Sequence, residues 1–187
     1  NLIKELLKKI ETGIVIKKDI SENQVKLIYL AIGSNLGNKF ENIEKAKFEL
    51  KNNDIKIIKS SNKFESESWP NSKYPKFINI VVLVKTNFSP LELLKICNLI
   101  ELKLGRKRST KNAPRICDID IIDYDQKVLN SINDLLILPH PKMTKRNFVL
   151  LPLFDIDKSW KHPKTKINII NLINSLPIRD LRSIKRI

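Results

Sequence analysis

The sequence is poor in the residues that build metal cages and disulfide frameworks. Its 187 residues include two cysteines, Cys97 and Cys117, and two histidines, His140 and His162. The cysteines lack C-x-x-C spacing and the histidines stand apart, which argues against a zinc site and against a disulfide-stapled fold. No apolar run approaches the roughly 18 residues that a membrane-spanning helix needs. No charged-then-apolar leader with a small-residue cleavage site opens the chain, and the cytoplasm is the expected compartment. No Ser-His-Asp or Cys-His arrangement stands out, so a covalent nucleophile is not indicated.

What is present is charge. Thirty-five Lys and Arg against twenty Asp and Glu give a formal +15, which asks for anionic partners. Much of that excess is a Lys-Asn-Ile bias spread over solvated faces, and it does not choose between a nucleic acid and a nucleotide. At 42% apolar residues the chain can bury one core, and its length fits one domain with an appendage. Three parts are expected: an N-terminal helix and linker over 1–26, a main domain over 27–176, and a basic tail over 177–187 that frays.

The main domain alternates cleanly. Leu27–Ile32 reads as a buried strand, stopped by the loop Gly33-Ser34-Asn35-Leu36-Gly37. That loop does not match a P-loop, and a plain strand-to-helix turn is its simpler reading. A helix capped by Asn38 follows, with Phe40, Ile43, Ala46 and Leu50 as its inner stripe. A second strand is expected over 55–64, a mobile loop over 65–76, and a third strand over 77–86. Ser89-Pro90-Leu91-Glu92 starts a helix with its own capping box, and Gly105 ends it. A fourth strand over 116–124 completes β-α-β-β-α-β. The fold class is therefore α+β: a ferredoxin-like antiparallel sheet with both helices on one face, followed by a hairpin and C-terminal helices.

The chemistry concentrates at Gly105–Asp125, GRKRSTKNAPRICDIDIIDYD. Arg106, Arg108, Lys111 and Arg115 surround a turn at Ala113-Pro114, and Asp118 and Asp120 follow on the strand. Two residues apart on a strand, both carboxylates leave one face about 7 Å apart. Half-buried neighbouring carboxylates repel, and a cation resolves that cost. All-oxygen ligands suit Mg²⁺, which keeps waters and shares phosphate oxygens. Guanidinium forks suit phosphoryl groups. Asp123 and Asp125 are assigned to the turn that follows. The simpler alternative for the pair is two solvated strand-edge aspartates.

Lys111-Asn112-Ala113-Pro114-Arg115, two spacers, then Asp118-Ile119-Asp120-Ile121-Ile122 resembles the signature of 6-hydroxymethyl-7,8-dihydropterin pyrophosphokinase, a folate-synthesis family. Ala31 to Gly37, Phe77-Ile78-Asn79, Glu101-Leu102 with Gly105-Arg106, Pro139-His140-Pro141, Arg146-Asn147-Phe148 and Leu151-Pro152-Leu153 are similar to the family's other motifs, in order, over about residues 27–176. The resemblance implies transfer of the β,γ-diphosphate of ATP to the pterin hydroxymethyl oxygen, releasing AMP. It implies two Mg²⁺ ions on Asp118 and Asp120, and Arg106 and Arg115 closing over the phosphates. It gives Arg108, Lys111, His140 and Arg146 to ATP. It places the pterin between Phe77 and Phe148, with Asn79 at its edge. Asn112 and Ala113 stand where some members have an aromatic residue and glycine. The resemblance leaves open whether the chain is free or part of a larger folate-pathway protein, and it implies small-molecule partners with no membrane.

Two rival readings remain at this level. An RNA-binding module shares the element order, but needs exposed strand aromatics in place of Val, Ile and Asp. An Mg²⁺-dependent nuclease could use Asp118 and Asp120, but leaves Phe77, Asn79 and Phe148 unexplained.

Overall fold

A computed structural model describes residues 25–68, 71–106, 113–132 and 135–187. The N-terminal helix expected near residues 2–10 lies outside the described residues, as do Arg108, Lys111 and Asn112.

Strand β1 (Lys26–Ser34) leads into helix α1 (Lys39–Asn52); β2 (Lys56–Ser60), β3 (Phe64–Ser66) and β4 (Phe77–Thr86) follow; helix α2 (Pro90–Lys103) leads to β5 (Asp118–Tyr124). The sheet runs β5-β1-β4-β3, with β2 also on β4, and these pairings are antiparallel. This is the ferredoxin-like arrangement that the element order implies. The two caps form as read from sequence. Asn38 Oδ1 accepts from Glu41 N at 3.2 Å, and Ser89 and Glu92 bond reciprocally.

The expected strand over 55–64 is broken in two. Ser61 Oγ accepts from Val81 N at 3.0 Å, replacing a ladder bond, and Asn62 N and Nδ2 both donate to Asp155 at 2.7 Å. Side chains take over the pairing for a few residues and the strand restarts as β3. Much of the loop expected to move is held in place: Ser68 is buried and its hydroxyl donates to Pro75 O at 2.6 Å.

The sheet has two differently used faces. On one, Ile28, Leu30, Ile32, Ile80, Val82, Ile119 and Ile121 pack against Ile43, Ala46 and Leu50 of α1 and Leu93, Ile96 and Cys97 of α2. A buried aliphatic side chain of this kind contributes about 1.5–3 kcal/mol. Phe40, expected on the inner stripe of α1, is 47% exposed. It stands in the first turn, and Lys63 Nζ lies 6.0 Å from its ring centre.

On the other face, Tyr29, Val81, Leu83 and Ile122 are covered by Val149, Leu150 and Leu153 of helix α3 (Asn147–Ile156), by Trp160, and by Ile169 and Leu172 of helix α4 (Ile169–Asn174). A hairpin of β6 (Leu129–Ile132) and β7 (Leu136–Leu138) precedes α3. The helices cover only part of this face. Beyond them lie Ala31, Gly33, Phe77, Asn79, Asp118 and Asp120.

The β1–β5 register skips Ile122: Leu30 faces Ile121 and Tyr29 faces Asp123. This β-bulge resets the alternation. Tyr124 joins the helix-packed core, while Asp123 turns to the second face and accepts Trp160 Nε1 at 2.8 Å. Asp123 is thus a buried strand residue that also holds the turn assigned from sequence, its Oδ1 accepting Gln126 N at 2.9 Å.

The basic tail does not fray. Helix α5 (Ile178–Arg182) and strand β8 (Ile184–Arg186) extend the sheet, β8 pairing antiparallel with β3. Among the described residues, no helix is long and apolar enough to cross a membrane.

Candidate active site

Asp118 and Asp120 open β5 side by side on the uncovered face. Period two sends Ile119 and Ile121 into the core beneath them and leaves the carboxylates outward. Cations gather at both. Asp118 Oδ1 accepts from Arg106 at 2.8 Å and from Arg115 at 3.1 Å. Asp120 Oδ2 accepts from Arg146 at 3.1 Å, with His140 Nε2 at 3.9 Å. Burial, then repulsion from Asp120, raises the Asp118 pKa despite its arginines.

The two carboxylates stand on a wall shared by two cavities. One is lined by Gly33, Phe77, Asn79, Arg115, Arg146 and Phe148 among others. The other is lined by Glu101, Arg106, residues 135–137, His140 and Pro141 among others. Asp118 and Asp120 line both.

In the first cavity, aromatic and amide groups are locked by their neighbours. Asn79 is buried, and its Nδ2 donates to Ser66 Oγ at 3.0 Å. Sequence leaves Asn79 open between an exposed strand end and a pocket group; the pocket is where it sits. Gly33 lies opposite Asn79 in the β1–β4 pairing, and a Cβ there would come within 3.1 Å of Asn79 Oδ1 and 3.4 Å of Phe77. The Arg146 guanidinium stacks 5.5 Å from the Phe148 ring centre, on the wall of this cavity.

In the second cavity, His140 N donates to Ile122 O at 2.9 Å, hooking the Pro139-His140-Pro141 turn onto β5. His140 Nδ1 accepts from Lys142 N at 3.1 Å, so a neutral ring carries its proton on Nε2, toward Asp120 and Arg146. Burial lowers the His140 pKa, more than nearby Asp120 raises it.

Three residues belong to the site without having been assigned a role from sequence. Glu101, on the last turn of α2, is buried; it accepts Ile119 N at 2.7 Å and forms a close ion pair with Arg106. Burial pushes its pKa up to about 7, against the opposing pull of Ile119 N–H and Arg106. Asn35 joins three segments: its Nδ2 donates to Ser68 Oγ at 3.1 Å and to Pro75 O at 3.2 Å, while its Oδ1 accepts Arg115 N at 2.7 Å. Ser66 orients Asn79. Glu101 falls within a family motif, and Asn35 within the Gly-Ser-Asn loop; those positions were the available signals.

Among the described residues, no three His, Cys, Asp or Glu side chains gather into a metal cage. A pair of carboxylates fits Mg²⁺ nonetheless, because that ion is commonly held by one or two carboxylates with water and substrate phosphates completing its shell.

A ferredoxin-like sheet carries paired carboxylates between two cavities, and arginines converge on them. The pattern of the 7,8-dihydro-6-hydroxymethylpterin-pyrophosphokinase (HPPK) family matches residues 29–158, and the chain belongs to that family. It is 36% identical over 166 residues to the folic acid synthesis protein fol1 of Pneumocystis carinii, covering 88% of this chain and 22% of that one. It is 38% identical to the 2-amino-4-hydroxy-6-hydroxymethyldihydropteridine pyrophosphokinase of Aquifex aeolicus, covering 73% of this chain and 83% of that one. A Plasmodium falciparum HPPK-DHPS structure with pterin and p-hydroxybenzoate shares the fold, with a TM-score of 0.69 at 17% identity over 93% of this chain and 49% of that one. The chain thus spans about a fifth of the fol1 protein.

Proposed function

We propose that the protein transfers the β,γ-diphosphate of ATP to the hydroxymethyl oxygen of 6-hydroxymethyl-7,8-dihydropterin. The observation that carries this reading is the shared wall: Asp118 and Asp120 face both cavities, so the transferred group can lie between two separately held substrates. The hydroxymethyl oxygen forms a bond to the β-phosphorus. The bond from that phosphorus to the α,β-bridging oxygen breaks, AMP leaves with that oxygen, and the hydroxyl proton is released.

In this reading Phe77 and Phe148 hold the flat pterin, and Asn79 reads its polar edge. His140 and Arg146 bind the nucleotide, with Arg108 and Lys111 as further phosphate contacts. Arg106 and Arg115 neutralise charge on the transferring group, where positioning and electrostatics supply most of the catalysis. Among the described residues, the buried Arg115 Nε has no hydrogen-bond partner, and a phosphate oxygen would supply the acceptor. Asp118 and Asp120 would hold Mg²⁺, two ions in our proposal, whose charge offsets that of the polyphosphate. Residues 27–176 form the pyrophosphokinase unit, with 1–26 ahead of it and 177–187 after it. The much greater length of the fol1 relative supports a place within or beside a longer folate-synthesis protein.

The sheet argues against RNA binding. The face that such modules present to bases is partly covered here by α3 and α4, and its open part carries the carboxylates Asp118 and Asp120. The deciding assay is AMP release from Mg-ATP with hydroxymethyldihydropterin. AMP stoichiometric with the pterin diphosphate is expected; folded protein that makes none would overturn the reading.

A further inference from the structure

We infer that the C-terminal segment 178–187 is a strap that positions the pterin-side wall, because it bonds on one side to β3, whose Ser66 accepts from Asn79, and on the other to the start of the helix that carries Phe148. The inference rests on the function proposed above.

The first attachment is to β3. That strand is three residues long, and β4 pairs with one of its edges. Its other edge carries β8: Phe64 faces Arg186, Glu65 faces Lys185 and Ser66 faces Ile184. Ile187 N donates to Lys63 O at 2.9 Å. Within β3, Ser66 Oγ is the acceptor for Asn79 Nδ2, and Phe64 O lies 3.5 Å from the same nitrogen. The placement of the Asn79 amide thus depends on a strand too short to order itself, held between two partners.

The second attachment is to α3. Asn147 stands between Arg146 and Phe148. Its buried Nδ2 donates to Asp180 O and, at 3.2 Å, to Ser183 Oγ. Leu181 packs against the core on the same face. At the far end of α3, Asp155 meets Arg186 at 3.6 Å and holds Asn62 at 2.7 Å. The strap therefore fixes the separation between β3 and α3, and with it the gap between the Asn79 side and the Phe148 side of the pocket. It bonds to none of Glu101, Arg106, Asp118, Asp120 and His140. Its effect falls on one substrate.

Antiparallel pairs alternate between hydrogen-bonded and non-hydrogen-bonded. The Ile187–Lys63 bond makes Lys185–Glu65 the next hydrogen-bonded pair, so Lys185→Pro removes a ladder donor on the strap alone. Ser183→Ala removes the hydroxyl that Asn147 uses. Both variants of the full chain are assayed for AMP release, with pterin and Mg-ATP varied separately, and their folding is checked by circular dichroism. For Lys185→Pro the pterin KM is expected to rise about tenfold, the effect of one hydrogen bond's worth of lost order. The nucleotide KM and kcat stay within about twofold, and Ser183→Ala moves the same way by less. An unchanged pterin KM in both variants, or equal rises for both substrates, would overturn the inference. If Lys185→Pro does not fold, Ser183→Ala decides alone. Wild-type protein separates the two claims: no AMP from it counts against the functional reading, whereas an active wild type beside indifferent variants counts against the strap.

Discussion

Asn35 and Arg115 grip each other through two hydrogen bonds, Arg115 N to Asn35 Oδ1 at 2.7 Å and Asn35 N to Arg115 O at 3.2 Å. The backbone ahead of β5 is thereby fastened to the end of β1, and Asn35 Nδ2 ties the 68–75 segment to the same point. Asn35→Ala keeps one of the two bonds and leaves Arg115 N without its acceptor. Melting should show a loss of about 1–3 kcal/mol, the penalty for an unsatisfied, partly buried donor. Turnover should fall at least about tenfold, because Arg115 acts by position. Full activity with lowered stability would mean that Arg115 finds its place without Asn35.

Asp118→Asn and Asp120→Asn keep shape and remove charge. Each should lower AMP release by at least about a hundredfold, a loss consistent with removing a group that stabilises transition-state charge. The fold should persist, since in Asp118 the ionised form is already disfavoured by burial and by Asp120. Isothermal titration with Mg-ATP provides the check: tight Mg-dependent nucleotide binding and near-normal turnover in both variants would return these carboxylates to a structural role.

Glu101 makes stability depend on pH. Its pKa rises from the ordinary 4.5 to about 7 on folding, chiefly through burial. A raised pKa means that the folded state favours the protonated acid. That contribution is complete below pH 4.5 and is lost as pH rises through about 7. In metal-free protein, stability should therefore decline between those limits by up to about 3 kcal/mol from this group. Asp118 acts in the same direction. Glu101→Gln removes the Glu101 share, so the difference between wild type and variant in urea unfolding at pH 5 and pH 8 isolates it. Parallel pH profiles would show that Glu101 ionises freely in the folded protein.

Gly33→Ala tests the tightness of the pterin side. The added Cβ would stand 3.1 Å from Asn79 Oδ1 and 3.4 Å from Phe77. The Asn79 amide must shift by a few tenths of an ångström, within the wall assigned to the pterin, while Phe77 is met at ordinary contact distance. Pterin affinity should fall about tenfold with nucleotide affinity unchanged, since misplacing a hydrogen-bonding edge forfeits on the order of 1 kcal/mol. Equal loss for both substrates in fluorescence titrations would indicate a general distortion of β1.

What was legible in the sequence was what local chemistry decides. Caps at Asn38 and Ser89, and the alternation that turns Asp118 and Asp120 outward from Ile119 and Ile121, need no knowledge of distant contacts. The failures are non-local. Glu101, followed by Leu102 and Lys103, has the composition of a solvated last turn; only β5, presenting Ile119 N–H, makes its burial tolerable. The basic tail has the composition of a fraying end, and its order depends on β3 and Asn147 more than thirty residues or a whole domain away. Ser61 interrupts a strand because Val81 happens to face it.

The bulge at Ile122 shows how a single unpaired position divides the work of three like residues. Asp118, Asp120 and Asp123 sit within six consecutive residues, yet strict alternation would send Asp123 among the isoleucines and leucines under the sheet. The extra residue turns it instead toward Trp160, where it anchors the covering layer, while the earlier two face the cavities. Parity along β5 thus acts as a sorting rule. Pairing Ile122 regularly, with no extra residue, would alter no reactive group, yet it would send Asp123 under the sheet and take from Trp160 its acceptor.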